Sequence, residues 1–264
     1  MPRFDPHPPA AERPAVVTGA SSGIGQATAL ALAAAGHPVV LAARRADRLA
    51  DLAAKIEADG GRALAASLDL TDSSSIDDFC AHADAFGPVD VLVNNAGEVF
   101  PHTAVGADPD DFVRSVHVNL LGAQRLAARL GPAMVERGHG DIVFVTSDVV
   151  VRPRTLMASY VAAKAGLEGL ARAMQMELEG SGVRVGMVRP GPSSTEQGTS
   201  WDEPTVNRIV SDWVRWGHIR HDGALLPHNV ADAIVAMISA PKGTHLSLIE
   251  VQPEAPVLPE RSHL

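Results

Sequence analysis

The sequence contains one cysteine and one tyrosine, and its aromatic residues amount to only 4% of 264 residues. A single cysteine excludes an internal disulfide and fits a reducing cytoplasm. Cys80 stands with Ile76, Phe79 and Ala83 on the apolar positions of a helical pattern. We therefore expect Cys80 to fill the core of the protein rather than to act as a nucleophile.

Long hydrophobic runs are also missing. No apolar run approaches the roughly 18 residues that a membrane-spanning helix needs. The proline-rich stretch at 1–15 lacks the apolar segment of a signal peptide, and we expect a disordered arm over 1–12. Positive charge is scarce as well, since 22 lysines and arginines face 31 aspartates and glutamates, giving a formal net charge of −9. These features predict a cytoplasmic protein with neither a membrane nor a nucleic acid as a partner.

From residue 13 onward, short apolar runs alternate with longer amphipathic segments. The runs predict seven strands, at 15–18, 38–43, 62–67, 89–93, 142–146, 183–188 and 246–250. Helices are predicted between them, at 26–35, 47–58, 74–86, 108–130, 156–179 and 230–239. Strands that alternate with helices of ten or more residues indicate a parallel sheet covered by helices on both faces. We therefore predict a single doubly wound α/β domain of the Rossmann type over 13–264, whose ligand lies beyond the carboxyl ends of the strands.

A glycine-rich turn joins the first predicted strand to the first predicted helix. It has the sequence Thr-Gly-Ala-Ser-Ser-Gly-Ile-Gly at 18–25. Glycines allow the backbone to turn tightly and approach a pyrophosphate, and the following helix points its N–H groups at negative charge. The turn predicts a dinucleotide site, with a purely structural strand–helix turn as the alternative. Its candidate binding residues are Gly19, Ser21, Ser22, Gly23, Ile24 and Gly25.

The centre of the chain carries a candidate proton-transfer site. Ser147 follows the predicted strand at 142–146, and Tyr160 and Lys164 stand four residues apart in a predicted helix. This spacing places tyrosine and lysine on one helical face, where the positive charge is expected to lower the pKa of the phenol. A serine hydroxyl beside them is able to polarise a carbonyl, which is chemistry for carbonyls and alcohols. A surface pair is the alternative, but Tyr160 is the only tyrosine and further motifs point to the same place.

Together these motifs resemble the short-chain dehydrogenase/reductase family in its common single-domain form. The resemblance rests on five features that stand in the family's order, namely the turn at 18–25, Asn94-Asn95-Ala96-Gly97, Asn119, Ser147 with Tyr160 and Lys164, and Pro190-Gly191. It covers nearly the whole chain. It implies the fold predicted above and a hydride transfer between C4 of a nicotinamide and a ketone, an aldehyde or a secondary alcohol.

The resemblance implies a catalytic role for four residues. Tyr160 would act as general acid in reduction and general base in oxidation, while Lys164 would lower the pKa of the phenol and hold the nicotinamide ribose. Ser147 would hydrogen-bond the substrate oxygen, and Asn119 would anchor a water relay to Lys164. The rival interpretation is a catalytically silent NAD(P)-binding sensor or scaffold, but all four residues are retained.

The nicotinamide cofactor is expected to be NADP rather than NAD. Ala43 stands where the family's NAD-dependent enzymes carry an aspartate for the ribose 2′-hydroxyl, and Arg44 follows it. A guanidinium is suited to gripping a 2′-phosphate with paired hydrogen bonds. We assign this role to Arg44 first and to Arg45 second, with ordinary surface charges at a helix start as the alternative.

The resemblance implies further cofactor contacts on successive loops. Those to the adenosine half would come from Asp69, Leu70, Asn95, Ala96 and Gly97, and those to the nicotinamide half from Tyr160, Lys164, Pro190, Gly191, Ser193 and Thr195. Asp69 is nearly as well explained as a turn or helix-capping aspartate. Ser193 departs from the family, which often has an apolar residue at that position.

A segment after the sixth predicted strand is expected to cover the substrate. In the family this region forms a lid; here it spans 193–227, holds all three tryptophans and has a predicted amphipathic helix at 204–217. Val149, Trp201 and Trp213 are therefore expected to line a pocket for a bulky, hydrophobic substrate, beside Ser147 and Tyr160. Packing within the lid or against another subunit explains the aromatic residues equally well. No metal site is predicted.

The family commonly forms tetramers through two long helices, which here correspond to about 108–130 and 156–179. We therefore expect a homotetramer or a homodimer. Small residues on the helix faces would permit close packing between subunits, and within the chain as well, at Ala123, Ala127, Ala162, Ala163 and Ala171.

Overall fold

The computed structural model describes residues 6–199 and 201–256. Its sheet has seven parallel strands in the order β3-β2-β1-β4-β5-β6-β7. The strands are β1 (Ala15–Thr18), β2 (Val39–Ala43), β3 (Ala63–Ser67), β4 (Val91–Asn94), β5 (Gly140–Val145), β6 (Val183–Pro190) and β7 (Leu248–Val251). The predicted doubly wound α/β fold is confirmed. The strand order reverses between β1 and β4, and a ligand crevice is expected at this point in an open parallel sheet.

Eight α-helices connect the described strands and build the lid. They are α1 (Gly23–Ala34), α2 (Ala46–Ala58), α3 (Ser73–Phe86), α4 (Pro109–Val116), α5 (Gly122–Arg137), α6 (Ala158–Glu177), α7 (Glu203–Arg215) and α8 (Pro227–Ser239). The predicted start at Asp108 is confirmed, because its side chain accepts the N–H of Asp110 and Pro109 occupies the first helical position. None of the helices in the described ranges is long and apolar enough to cross a membrane.

The core lies in two layers, one on each face of the sheet. Successive residues of β4 point to opposite sides, so that Leu92 joins one layer and Val93 the other. Every residue of β1, β4 and β5 is buried, as is typical of parallel strands covered on both faces. Cys80 belongs to the layer of Leu92, and burial raises the pKa of its thiol to about 11.

The helix predicted at 108–130 is interrupted and ends later. A π-helical turn, His117–Leu121, separates α4 from α5, and α5 continues to Arg137 in spite of Pro132. The prediction ended too early because a proline usually marks a helix boundary. Here the buried side chain of Met134 anchors the extra turn, and Gly138 closes the helix in the left-handed conformation at φ 74°.

The amino-terminal segment also differs from its prediction. A disordered arm is predicted over 1–12, but Ala10–Glu12 forms a 3₁₀ turn; residues 1–5 lie outside the described ranges. The turn leads into Arg13, whose buried side chain forms ion pairs with Asp90 and Asp141 at the amino ends of β4 and β5. This pairing ties the segment to the sheet at the edge opposite the carboxyl ends of the strands.

Candidate functional site

A cleft of about 940 Å³ opens at the carboxyl ends of the strands. It runs from the glycine-rich turn to the lid and is lined by nearly all the predicted site residues. Gly25 and Asn119 do not line the cleft. They lie behind it, in contact with residues that line it. Pro190 and Gly191, at the end of β6, line the cleft on the side of β7. The Ser193 hydroxyl donates to the carbonyl of Gly191 there, at 2.9 Å.

The glycine-rich turn is packed so closely that side chains are excluded from it. A Cβ added to Gly25 would lie 2.3 Å from the carbonyl oxygen of Gly19, and one added to Gly19 would lie 2.9 Å from Nδ2 of Asn95. Gly19 also has a φ of 69°, which glycine adopts readily. The turn thus brings bare backbone and the N-terminus of α1 to the cleft, which suits a pyrophosphate.

Asn95 and Ala96 hold the turn against the end of β4. The amide of Asn95 donates to the carbonyl of Thr18 at 2.8 Å, and the Thr18 hydroxyl accepts the N–H groups of Asn95 and Ala96, both at 2.9 Å. Asn95 is therefore bound to the turn through its side chain, while the backbone of the segment up to Gly97 faces the cleft.

Arg45, and not Arg44, binds the glycine-rich turn. Arg45 donates to the Ser21 hydroxyl through Nε at 3.1 Å and Nη2 at 2.9 Å, and to the Ser22 hydroxyl at 2.8 Å. Arg44 points toward Glu98, 3.5 Å away, and 56% of its side chain is exposed. Both arginines line the cleft, and the assignment of the 2′-phosphate to Arg44 first and to Arg45 second stays a prediction. Consecutive residues at the end of a strand point in opposite directions, which the sequence pattern did not resolve.

A carboxylate from the lid completes this arginine corner. Glu196 accepts from Nη1 of Arg45 at 2.9 Å and from Nη1 of Arg48 at 2.7 Å. The two guanidinium groups lower the pKa of Glu196 to about 2. Neither Arg48 nor Glu196 was predicted. Arg48 shares a helical face with Arg45, but Glu196 is 151 residues away from Arg45, and the sequence offered no signal for that pairing.

The segment after β3 has the turn geometry that was the alternative for Asp69. Oδ1 of Asp69 accepts the backbone N–H of Thr71 at 2.8 Å and its hydroxyl at 2.7 Å. These hydrogen bonds lower the pKa of Asp69. Asp69 and Leu70 both line the cleft on the adenine side, so the turn and the predicted cofactor contact are compatible.

Ser147, Tyr160 and Lys164 meet at the other end of the cleft, as predicted. Ser147 follows β5 and caps a 3₁₀ turn, while α6 brings in Tyr160 and Lys164. Nζ of Lys164 donates to the carbonyl of Val145 at 2.8 Å and lies 5.6 Å from the centre of the Tyr160 ring. The side chains of Tyr160 and Lys164 are 8% and 2% exposed, so both are shielded from bulk water.

The expected lowering of the pKa of Tyr160 is wrong for this geometry. Burial raises the pKa of Tyr160 to about 12, and the negative charge of Asp148 acts in the same direction, against the side chains of Ser147 and Gln197. Burial also lowers the pKa of Lys164 to about 8. Both shifts have the same physical cause, because a low-dielectric site disfavours the charged form of either group.

Asn119 lies in the π-helical turn and fixes the backbone next to Lys164. Its Nδ2 donates to the carbonyls of Ser115 and Glu98, both at 2.8 Å, and its Oδ1 accepts the N–H of Glu98 at 3.2 Å. A Cβ on Gly97 would come within 2.9 Å of this oxygen and 3.7 Å of Nζ of Lys164. The predicted water relay through Asn119 stays a prediction.

The lid closes the substrate end with an apolar wall. Val149, Trp201 and Trp213 pack in one cluster with Tyr160, and the indole of Trp213 donates to the carbonyl of Thr155 at 3.1 Å. Trp216 is 59% exposed and lies outside this wall. Thr195 reaches the glycine-rich turn, where its methyl carbon would lie 3.4 Å from a Cβ on Gly23.

The sequence prediction missed two charged residues at this end of the cleft. Asp148 and Arg154 both line it and form an ion pair of 2.5 Å. The sequence did contain a signal for Asp148. It is a charged residue directly after Ser147, between the apolar residues of β5 and the valines that follow.

The chain matches a family model described as short chain dehydrogenase over residues 13–205. Glycine betaine reductase ATRR of Emericella nidulans is 33% identical over 94% of this chain, which spans 19% of that protein's length. A 2,3-dihydro-2,3-dihydroxybenzoate dehydrogenase of Bacillus subtilis is 29% identical over 89% of this chain and 91% of its own.

A solved structure, an alcohol dehydrogenase of the archaeon Thermococcus sibiricus complexed with 5-hydroxy-NADP, superposes with a TM-score of 0.79 at 30% identity. The superposition covers 93% of this chain and 99% of that one. The chain belongs to the short-chain dehydrogenase/reductase family, a family of NAD(P)-dependent oxidoreductases that act on CH–OH and C=O groups.

Proposed function

We propose that this protein is an NADP-dependent oxidoreductase that interconverts a carbonyl compound and the corresponding alcohol. The observation that carries the proposal is the placement of Ser147, Tyr160 and Lys164 at one end of a cleft whose other end is the glycine-rich turn. The turn is a cradle that a Cβ at Gly19 or Gly25 would fill, so its backbone fits a pyrophosphate. When bound, the nicotinamide supplies or accepts the hydride.

The residues of this chain would position the substrate and move its proton. Ser147 would donate a hydrogen bond to the substrate oxygen as negative charge develops on it. Tyr160 would then donate its phenolic proton to that oxygen. A phenol with a pKa of about 12 is protonated throughout the neutral range and is therefore available as the general acid of the reduction.

The preference for NADP is supported by the charges at the end of β2. Ala43 leaves no carboxylate for a ribose 2′-hydroxyl, and Arg45 and Arg48 direct their guanidinium groups to one point on the lid, at Glu196. A 2′-phosphate is likewise an anion, with a larger charge of about −1.5 to −2, and it offers the same kind of acceptor oxygens as this carboxylate. The relative from Thermococcus sibiricus was solved with an NADP derivative, which agrees with this reading.

A fluorescence titration with NADPH and NADH tests the cofactor proposal. We expect Arg45→Ala to weaken NADPH binding by about tenfold, since a charge-assisted pair contributes on the order of 1.5–3 kcal/mol, and to leave NADH nearly unchanged. Arg44→Ala is the matched control and should have the smaller effect. Equal or tighter binding of NADH by the unmodified protein would contradict the preference for NADP.

A homo-oligomer remains part of the proposal because of the family resemblance, while the small residues on the two long helices give it little support. Four of the five alanines that were expected to permit subunit packing are buried within the chain, at Ala123, Ala127, Ala163 and Ala171. Val113 on α4 and Met176 on α6 are 55% and 73% exposed, and they are the apolar side chains on these helices that a second copy would cover. Light scattering of the purified protein measures this. The cytoplasmic location stays a prediction.

A further inference from the structure

The substrate end of the cleft combines an apolar wall with a buried charge. Asp148 is 2% exposed and stands directly after Ser147. Its Oδ2 accepts from Nη2 of Arg154 at 2.5 Å, and both side chains line the cleft. The hydrophobic substrate expected from the tryptophans alone gives no reason for a carboxylate in this place.

One oxygen of this carboxylate has no partner. Oδ1 of Asp148 is buried and makes no hydrogen bond with any residue in the described ranges. An ionised carboxylate has about four lone-pair sites on its two oxygens, and a buried acceptor without a donor is destabilising. Such atoms are rare in folded proteins, and this one belongs to a residue that lines the cleft next to Ser147, which points to a ligand.

A structural role for the ion pair explains only one of the two carboxylate oxygens of Asp148. The pair with Arg154 holds the loop between β5 and α6, and this requires only Oδ2. Arg154 is itself held from the other side, because its guanidinium lies 5.4 Å from the centre of the Trp213 ring. Neither the ion pair that holds the loop nor the contact between Arg154 and Trp213 on the lid uses Oδ1.

We propose that Oδ1 of Asp148 accepts a hydrogen bond from a hydroxyl or amino group of the substrate. The inference rests on the proposed function, because Ser147 is there assigned to the reacting oxygen. Asp148 lines the same end of the cleft as Ser147, and its charge acts on Tyr160, so the donor belongs close to the reacting carbon. The substrate class is therefore a carbonyl compound with an O–H or N–H donor beside the carbonyl and an apolar remainder, which packs on Val149, Trp201 and Trp213.

The ion pair borders the apolar wall of the lid. The guanidinium of Arg154 lies 5.4 Å from the centre of the Trp213 ring, and the indole of Trp213 donates to the carbonyl of Thr155, so the apolar remainder of the substrate and its donor would meet neighbouring parts of the site. The donor of the ligand then replaces the missing partner of Oδ1, while Arg154 keeps Oδ2. This gain is absent for an analogue without the donor, and a site built to bind a hydroxyl discriminates strongly against such an analogue.

The test compares three matched ketones as substrates with NADPH. They are acetophenone and its two derivatives with a donor on the carbon next to the carbonyl, 2-hydroxy-1-phenylethanone and 2-amino-1-phenylethanone. We expect the unmodified protein to reduce at least one donor-bearing ketone with a kcat/KM at least about tenfold above that of acetophenone. The hydroxyl and amino arms identify the donor. In Asp148→Asn, the amide oxygen keeps Arg154 and the NH₂ group takes the place of Oδ1, so donor faces donor. The ratio of the kcat/KM values should then fall at least about tenfold, and this ratio is unaffected by any change in Tyr160 that acts on all three ketones alike.

Asp212→Asn is the matched control, because it removes the same charge from α7 at a residue that does not line the cleft. Its ratio should equal that of the unmodified protein. If Asp148→Asn fails to bind NADPH normally, the double variant Asp148→Val with Arg154→Met replaces the ion pair by apolar side chains of similar size. This variant should still reduce acetophenone and should show no preference for the donor-bearing ketones.

A binding measurement separates this inference from the proposed function. Calorimetry of the three ketones with the NADP complex of Tyr160→Phe requires no turnover and leaves Asp148 in place. If the ketones bind with the expected preference but the unmodified protein reduces none, the proposed reaction is wrong and the role of Asp148 stands. An unchanged ratio in Asp148→Asn, or no tighter binding of either donor-bearing ketone than of acetophenone, overturns the inference.

Discussion

Arg45 holds the Ser21 hydroxyl with two of its nitrogens, at 3.1 and 2.9 Å, and thereby joins the end of β2 to the glycine-rich turn. The same guanidinium also reaches the lid through Glu196, so one side chain connects the three segments around the proposed 2′-phosphate position. If Arg45 holds the 2′-phosphate as proposed, cofactor preference and the position of the lid are linked through this one residue.

The pairing with Glu196 should weaken the binding of NADPH. A carboxylate that already neutralises Arg45 and Arg48 has to be displaced by a 2′-phosphate, whereas NAD makes no such demand. These are exposed ion pairs, so we expect Glu196→Gln to tighten NADPH binding only about two- to fivefold, with NADH unchanged, as measured by fluorescence titration. Glu203→Gln, on the same lid, is the control. Equal tightening of both cofactors would show that Glu196 acts through the lid and not through the phosphate.

Lys164 is a buried amine whose charge opposes folding. Its pKa is lowered to about 8 from 10.5, so between these values the folded protein binds fewer protons than the unfolded chain. Stability therefore rises with pH across this window, and the full cost of the buried charge is present below pH 8. We expect Lys164→Met to abolish activity but to raise the free energy of unfolding by about 1–3 kcal/mol at pH 7.

Urea denaturation at pH 7 and pH 10 measures this effect, which should be small at pH 10. Lys55→Met removes an exposed lysine from α2 and serves as the control. A Lys164→Met protein with the same stability gain at both pH values would show that better packing, and not the buried charge, is responsible.

The glycine-rich turn has no room for a methyl group at Gly25. A Cβ there would lie 2.3 Å from the carbonyl oxygen of Gly19, so the turn has to open in Gly25→Ala. We expect binding of NADPH and of NADH to weaken at least about a hundredfold, because both cofactors share the pyrophosphate. Gly169→Ala is the control, since its Cβ would meet no atom within 4 Å on α6. That variant should bind normally and gain about 0.5–1 kcal/mol of stability. Normal cofactor binding by Gly25→Ala would place the pyrophosphate elsewhere.

Most of the fold and the position of the site follow from the sequence for identifiable reasons. The alternation of apolar runs and amphipathic segments predicts a parallel sheet that is buried on both faces. The glycines that follow β1 indicate the edge of the sheet at which a ligand binds. The spacing of four residues places Tyr160 and Lys164 on one helical face, and the further motifs of the chain identified this pair as part of a site. Such local patterns need no knowledge of distant parts of the chain.

The features that the sequence did not reveal depend on contacts between distant segments. The direction of the chain as β2 ends determines that Arg45, and not Arg44, contacts the glycine-rich turn, and the partner of Arg45 on the lid is 151 residues away. The pKa of Tyr160 was wrongly predicted because the spacing to Lys164 was visible, whereas the burial that dominates the pKa was not. The unpartnered oxygen of Asp148 likewise appears only when the surroundings of that side chain are known.

Arg13 anchors the amino-terminal segment at the edge of the sheet opposite the cleft. Its guanidinium forms ion pairs with Asp90 and Asp141, and all three side chains are at most 4% exposed. The pairing holds the pKa of Asp90 below its usual value, although burial alone would raise it. Arg13 therefore compensates part of the buried charge of both carboxylates. His139 adds to this at Asp90, and Arg184 adds to it at Asp141.

Removing Arg13 leaves two buried carboxylates short of positive charge, which is far more costly than losing a surface pair. We expect Arg13→Ala to lower the free energy of unfolding by about 3–5 kcal/mol in urea denaturation at pH 7. Arg129→Ala, which breaks an exposed pair with Asp77, should cost at most about 1 kcal/mol. Because Arg13 lies at the opposite end of the strands from the cleft, NADPH affinity below the unfolding transition should be retained. Similar losses in the two variants would mean that Asp90 and Asp141 find other partners when Arg13 is absent.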